Sequence, residues 1–199
     1  MTDFGTGTTI GGRIQALRRA RGMRTSKELA DAIGGTMTVS IIENIELGRK
    51  SNLDVAQLLS IAMALQVPPS YVLAPMNNPD APLDLPGLSP AFDGMTAIQF
   101  DAWLSSLEHG AHHPTTLDGR NIRFELAALR EWSAATAEVR RLEIMHELEQ
   151  SEGAGEYARA TSQRIEETRH EADRLATMLN AGGWSLPLND TKGLEADAS

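Results

Sequence analysis

Residues 35–51 read GTMTVSIIENIELGRKS, and a short helix inside this stretch sets the reading of the front half of the chain. Thr38 is a good N-cap, because its hydroxyl can accept a backbone N–H of the first turn. Gly48 marks the other end, where a left-handed residue closes a helix without a Cβ clash. Ile42 and Ile45 fall on the core side at helical spacing. Thr38, Val39 and Ser40 occupy the first turn, and Asn44 lies one turn on. From Thr38 to Leu47 there are two glutamates, Glu43 and Glu46, and no basic residue. An apolar side is therefore backed by an outer side of small polar groups.

Further short helices flank it. The first, over about 9–21, carries Ile10, Ile14 and Leu17 and stops at Gly22. The second opens with the capping box Thr25-x-x-Glu28 and runs to Ile33, before Gly34-Gly35. Asp54-x-x-Gln57 opens another, with Leu53 and Leu58 spaced as a hydrophobic staple. A last turn follows Pro68-Pro69 and is expected to bury Tyr71, Val72 and Leu73.

The chain has 199 residues and a net charge of −9, with 41% hydrophobic residues. The charge is unevenly spread. Residues 1–75 hold 8 basic and 6 acidic side chains (8 − 6 = +2), and residues 76–199 hold 10 and 21 (10 − 21 = −11). Any polyanion would be met by the front. Cysteine is absent, which excludes disulfides, thiolate nucleophiles and Cys-based zinc sites. The start MTDFGTGTTIGG lacks a basic n-region and an apolar run, and the apolar segment 55–73 is interrupted by polar residues and prolines. A cytoplasmic protein with no membrane association is expected.

Prolines crowd residues 75–90, which favours a stiff extended spacer, and Leu83, Leu85 and Leu88 suggest that it lies against a surface. Beyond it, Thr96-x-x-Gln99 caps a helix carrying Ile98, Trp103, Leu104 and Leu107. A long helix over about 121–149 follows, with Ile122, Leu126, Leu129, Trp132, Val139 and Leu142 on one side. SEGAGE breaks it. The next helix, about 156–180, has Ala158, Thr161, Ile165, Thr168, Ala172, Leu175 and Leu179 in alternating steps of three and four, a heptad seam. Two long helices around a short glycine-containing loop make an antiparallel hairpin.

The pieces RIQALRRARGM (13–23), TSKELADAIG (25–34), SIIENIELGRK (40–50) and LLSIAMALQVPPSYVL (58–73) stand in a specific order. On them, residues 10–74 resemble the Cro/repressor-type (XRE family) helix-turn-helix, and are similar to that of phage immunity repressors. The resemblance implies an all-α fold: a five-helix lambda-repressor-like DNA-binding domain over 8–75. To this the residue pattern adds a Pro-rich linker over 76–92 and a helical oligomerisation or effector domain over 93–181 with the long hairpin. A disordered tail over 182–199 completes the expected layout.

The implied function is a sequence-specific DNA-binding transcriptional regulator, a repressor of phage-immunity or bacterial XRE type. Helix 38–47 would enter the major groove of a double-stranded operator with its first turn. Ser40 and Asn44 can bond base edges and Val39 can pack on a thymine methyl. Glu43 is either a solvated or capping residue or a reader of cytosine N4. Phosphate contacts would come from Arg49 and Lys50 after the helix, and from Arg24, Ser26 and Lys27 at the start of the second helix. The candidate DNA-contact set is thus Arg24, Ser26, Lys27, Thr36, Thr38, Val39, Ser40, Glu43, Asn44, Arg49 and Lys50. The resemblance also implies a structural ion pair between Arg18 and Glu46. Serine stands at position 26 where the family usually has glutamine, and the turn IGGTMTV is about two residues longer than usual.

A homodimer on a palindromic site is expected. An alternative is an antitoxin-like or adaptor protein whose C-terminal hairpin binds another protein, the helix-turn-helix being autoregulatory. No catalytic residues, cofactor or metal are assigned. Glu143-x-x-His146 and Glu167-x-x-His170 have di-iron spacing, but their positions on the hairpin keep them from meeting. His109, His112 and His113 read as loop histidines, and Trp103 and Trp132 as core.

Overall fold

A computed structural model describes residues 9–35, 37–50, 52–107, 113–151, 153 and 155–188. The all-α expectation holds: among the described residues there are helices and no β-strand, only an isolated bridge between Pro82 and Thr96. The chain divides between His113 and Pro114 into two units.

The first unit contains α1 (Ile10–Ala20), α2 (Ser26–Ile33), α3 (Val39–Glu46), α4 (Val55–Ala64), α5 (Pro69–Leu73), a 3₁₀ turn (Pro90–Phe92) and α6 (Ala97–Leu104). The caps expected at Thr25, Thr38, Asp54 and Thr96 start α2, α3, α4 and α6, and Thr9 caps α1 as well. Thr9, Thr25, Thr38, Asp54 and Thr96 each accept a backbone N–H of the first turn. The boxes at Thr25/Glu28 and Thr96/Gln99 are reciprocal. At Asp54, Gln57 turns away to accept from Lys50 Nζ at 2.7 Å. The core is built from Ile14, Leu17, Leu29, Ile42, Ile45, Ile61, Leu65 and Val72, with Leu53 and Leu58 packed against it. Of the α5 residues expected inside, Val72 is buried, whereas Tyr71 lies at the surface and Ser70 takes the inward place.

Two residues in α1 set distances that helical periodicity does not announce. A Cβ on Gly11 would lie 2.1 Å from the Ile45 carbonyl oxygen, so only glycine lets α1 approach the end of α3 this closely. Arg13 is buried among the apolar residues. Its Nε donates to the Val72 carbonyl at 2.9 Å, its Nη2 to the Leu73 carbonyl at 2.8 Å, and both terminal nitrogens to Asp84 at 2.6 and 3.0 Å.

Through Asp84 the Pro-rich stretch is tied to α1. Leu83 and Leu85 pack on the cluster Ala74, Met95, Ala97 and Phe100, and Leu83 N–H donates to Met95. The spacer expected over 76–92 thus lies on the first unit, and the division falls at 113/114 instead. On α6 the buried side is Ala97, Phe100 and Ala102. Ile98, Trp103 and Leu104 are exposed, in place of the face read from periodicity. Phe100 fills the core instead, and Trp103 meets Phe92 edge-on at 5.1 Å.

The second unit is a hairpin of α7 (Leu117–Ser151) and α8 (Gly155–Ala181). Ala158, Thr161, Ile165, Ala172, Leu175 and Leu179 of the expected seam are buried; Thr168 is half-buried. From α7 come Ala128, Val139 and Leu142, while Ile122 is exposed and Trp132 only partly covered. Arg169 joins the helices by donating to Glu143 at 2.8 Å. Part of the tail expected to be disordered folds back: Asn180 exchanges two hydrogen bonds with the Leu186 backbone, at 2.7 and 3.0 Å, and Leu186 packs on Leu175 and Leu179.

Candidate nucleic-acid interface

Arg18 and Glu46 form the frame on which α3 is hung. Arg18 Nε donates to one Glu46 oxygen at 2.7 Å and Nη2 to the other at 2.9 Å. The third guanidinium nitrogen donates to the Met23 carbonyl at 2.8 Å. Both side chains are almost wholly removed from solvent, at 4% and 3% exposure. A buried carboxylate is tolerable only when paired and hydrogen-bonded, and this one is both. Ser26 Oγ adds a third bond to Glu46, at 3.1 Å. That bond ties α2 into the frame. It also occupies the Ser26 hydroxyl that the sequence offered to a phosphate.

The exposed side of α3 carries Thr38, Ser40 and Glu43, with Asn44 half-buried among them. Thr38 spends its oxygen on the Ile41 N–H, at 3.3 Å, as the cap. Asn44 Nδ2 lies 3.5 Å from Ser40 Oγ, so the two sit one turn apart on one side. Val39 is half-buried against the core, which leaves little of it for a thymine methyl. Glu43 faces a recess that it shares with Gln15, Arg24, Thr25 and Leu47. Thr36 lies outside the described residues.

Beyond α3 the chain turns at Gly48, whose φ of +67° suits glycine. The N–H groups of Arg49 and Lys50 both donate to the Asn44 carbonyl at 2.9 Å, and this wrap leaves the Arg49 side chain exposed. Lys50 is half-buried and bonded to Gln57. Arg24 is exposed before α2. Lys27 is exposed too and holds Asp31 at 2.5 Å, a surface pair of little net strength. At the same helix end, the Thr25 N–H donates to the Glu28 carboxylate at 3.0 Å and holds its pKa below the ordinary glutamate value.

Sequence reading assigned no role to Gly11, Arg13 or Arg21. The signal for Arg13 was present: it stands three residues after Ile10 and four before Leu17, inside the apolar stripe. Arg21 donates to the carbonyls of Leu65 at 2.8 Å and Gln66 at 3.0 Å, and so fastens α1 to the end of α4. In the hairpin the Glu-x-x-His pairs do not converge. Glu143 takes Arg169, Glu167 accepts from Gln163, and His146 contacts Gln150. Among the described residues no group of His, Asp and Glu has metal-holding geometry, and no helix is long and apolar enough to cross a membrane.

Residues 14–72 match a family model described as helix-turn-helix. Neither the curated proteins nor the solved structures compared with the chain include a match. The family match spans α1 from Ile14 to α5, the segment in which α2 and α3 are locked by the Arg18–Glu46–Ser26 frame. Residues 14–72 are thus a helix-turn-helix DNA-binding domain of the XRE type.

Proposed function

We propose that the protein is a sequence-specific transcriptional repressor of bacterial or phage type, which binds operator DNA as a homodimer. The observation that supports this most is the face of α3. Ser40 and Asn44 stand together on its outer side, while Ile42, Ile45 and the Arg18–Glu46 pair hold its inner side rigidly. A rigid helix with small polar groups on its outer surface suits readout of base edges in the major groove.

Affinity is then supplied from the periphery. Arg49, Arg24 and Lys27 are exposed around the two helices and take phosphates. With so few cations per domain, each copy binds weakly, and linking two copies compensates through effective concentration. The acidic second half is unsuited to DNA and serves assembly or signal reception.

Purified full-length protein is incubated with sheared DNA of its source genome at about 150 mM salt, and the retained fragments are sequenced. Enrichment of a few sites sharing one short inverted repeat is the expected result. Retention without any shared motif would sink the reading.

A further inference from the structure

We propose that the outward face of α4 is a self-association surface, through which the helix-turn-helix domain pairs with a second copy across a two-fold axis at Leu59. The face consists of Val55, Ala56, Leu59, Ser60 and Met63, all exposed. Val55 is 71%, Leu59 51% and Met63 78% exposed, high values for large apolar side chains. Steps of four place these three on one stripe of the helix. Together they present an apolar patch on the order of 300 Å², the size at which exposed patches on monomers are commonly functional.

Three features choose the occupant. First, α4 contains no charged residue, so nothing on it attracts a nucleic acid or a strongly charged peptide. Second, the stripe is symmetric about its middle. In an antiparallel pair Val55 meets Met63 of the second copy at each end and Leu59 meets Leu59, as a two-fold contact requires. Third, the ends of the helix are complementary. Exposed Asp54 caps the N-terminal end through Gln57 N–H at 2.8 Å, and exposed Arg21 is held at the C-terminal end by the carbonyls of Leu65 and Gln66. Antiparallel pairing brings Asp54 of each copy to the end that carries Arg21 of the other. A parallel pair would set like charges together.

The inference rests on the regulator reading only for its purpose, which is to fix the spacing of two recognition helices, and its test contains no DNA. The full chain has no cysteine, so single cysteines report cleanly. Leu59→Cys is expected to cross-link to itself with a short bis-maleimide. A mixture of Val55→Cys and Met63→Cys should give a heterodimeric product in higher yield than either variant alone. In sedimentation, Leu59→Asp should raise the concentration at which half the protein is dimeric by about tenfold or more, since it places two carboxylates on the axis. Its circular dichroism should be unchanged, and its melting curve should approach that of wild type at concentrations where the wild type is itself monomeric, because a dimer's melt depends on concentration. A wild-type protein that stays monomeric across the concentration series would overturn the proposal. So would a folded Leu59→Asp variant that dimerises like wild type, the signature of assembly through the hairpin. If Leu59→Asp misfolds, the cross-linking pattern decides alone.

Discussion

The Arg18 guanidinium and the Glu46 carboxylate lie fork to fork, 2.7 and 2.9 Å apart, and both are buried where α1 meets the end of α3. Removing one partner strands the other charge away from water. Arg18→Met is therefore expected to cost about 3–5 kcal/mol of domain stability, measured by urea denaturation. The double variant Arg18→Met, Glu46→Leu should recover most of that loss, because it removes the stranded charge along with the pair. A double variant as unstable as the single would show that the cost came from packing.

Gly11 offers a sharper steric test. A methyl group there meets the Ile45 carbonyl oxygen at 2.1 Å, with the backbone of Glu46 close behind. Neither neighbour is a flexible side-chain tip, so α1 must move off α3. Gly11→Ala should lower stability by about 2 kcal/mol or more despite its better helix propensity, and thermal melting checks it. A neutral or stabilising result would mean that the two helices are less tightly apposed.

Arg13 and Asp84 should separate global from local stability. Arg13→Ala leaves two carbonyls and a carboxylate without their donor, and is expected to cost about 2–4 kcal/mol. Asp84→Ala removes only the outer acceptor, which is 29% exposed, so water can reach the outer edge of the guanidinium, and its cost should be smaller than that of Arg13→Ala. Its effect should appear instead in hydrogen exchange, as faster exchange at the Leu83 and Ala97 amides that pin the Pro-rich stretch to residues 95–97. Unchanged exchange at both amides would detach that stretch from the Arg13 contact.

On DNA, the base-facing and phosphate-facing residues should behave differently. Asn44→Ala should weaken binding to the selected site by about 1–3 kcal/mol while leaving binding to random duplex nearly unaltered. Arg49→Ala should weaken both alike and reduce the salt slope by about one. Competition binding across a salt series distinguishes the two. Equal effects of Asn44→Ala on both DNAs would remove α3 as the reader.

Acid should loosen the start of α2. The Thr25 N–H, with help from nearby Arg24, holds the Glu28 carboxyl below its ordinary value of 4.5. A depressed carboxylate adds stability above its unfolded pKa and loses it as pH falls through the folded one. An NMR titration should place the Glu28 midpoint below 4.5. Glu28→Gln should flatten this part of the pH dependence between about pH 5 and pH 3.

The caps at Thr25, Thr38, Asp54 and Thr96, the stop at Gly48 and the seam of α8 were legible because each depends on residues within a turn or two. Their chemistry is local, so spacing alone reports it. The same reasoning failed on α6, where Ile98, Trp103 and Leu104 looked like an inner face and Phe100 took that place. A short helix with apolar residues on several sides has no preferred face until its neighbours are known.

By itself, then, the sequence determined the all-helical class, the capped helix starts of the first unit and which side of α3 faces away from the core; it placed the start of α7 near 121, and the helix begins at Leu117. Tertiary structure alone decided which side chains remain available on and around that side. Ser26 is drawn into the Glu46 carboxylate and Val39 into the core, while Arg49 stays outside. It also decided that the Pro-rich stretch lies on the first unit, through an arginine whose partners are 59, 60 and 71 residues away. Such contacts follow from the path of the whole chain, because a hydrogen bond needs its partners within about 3 Å and no local periodicity sets distances that far along the sequence.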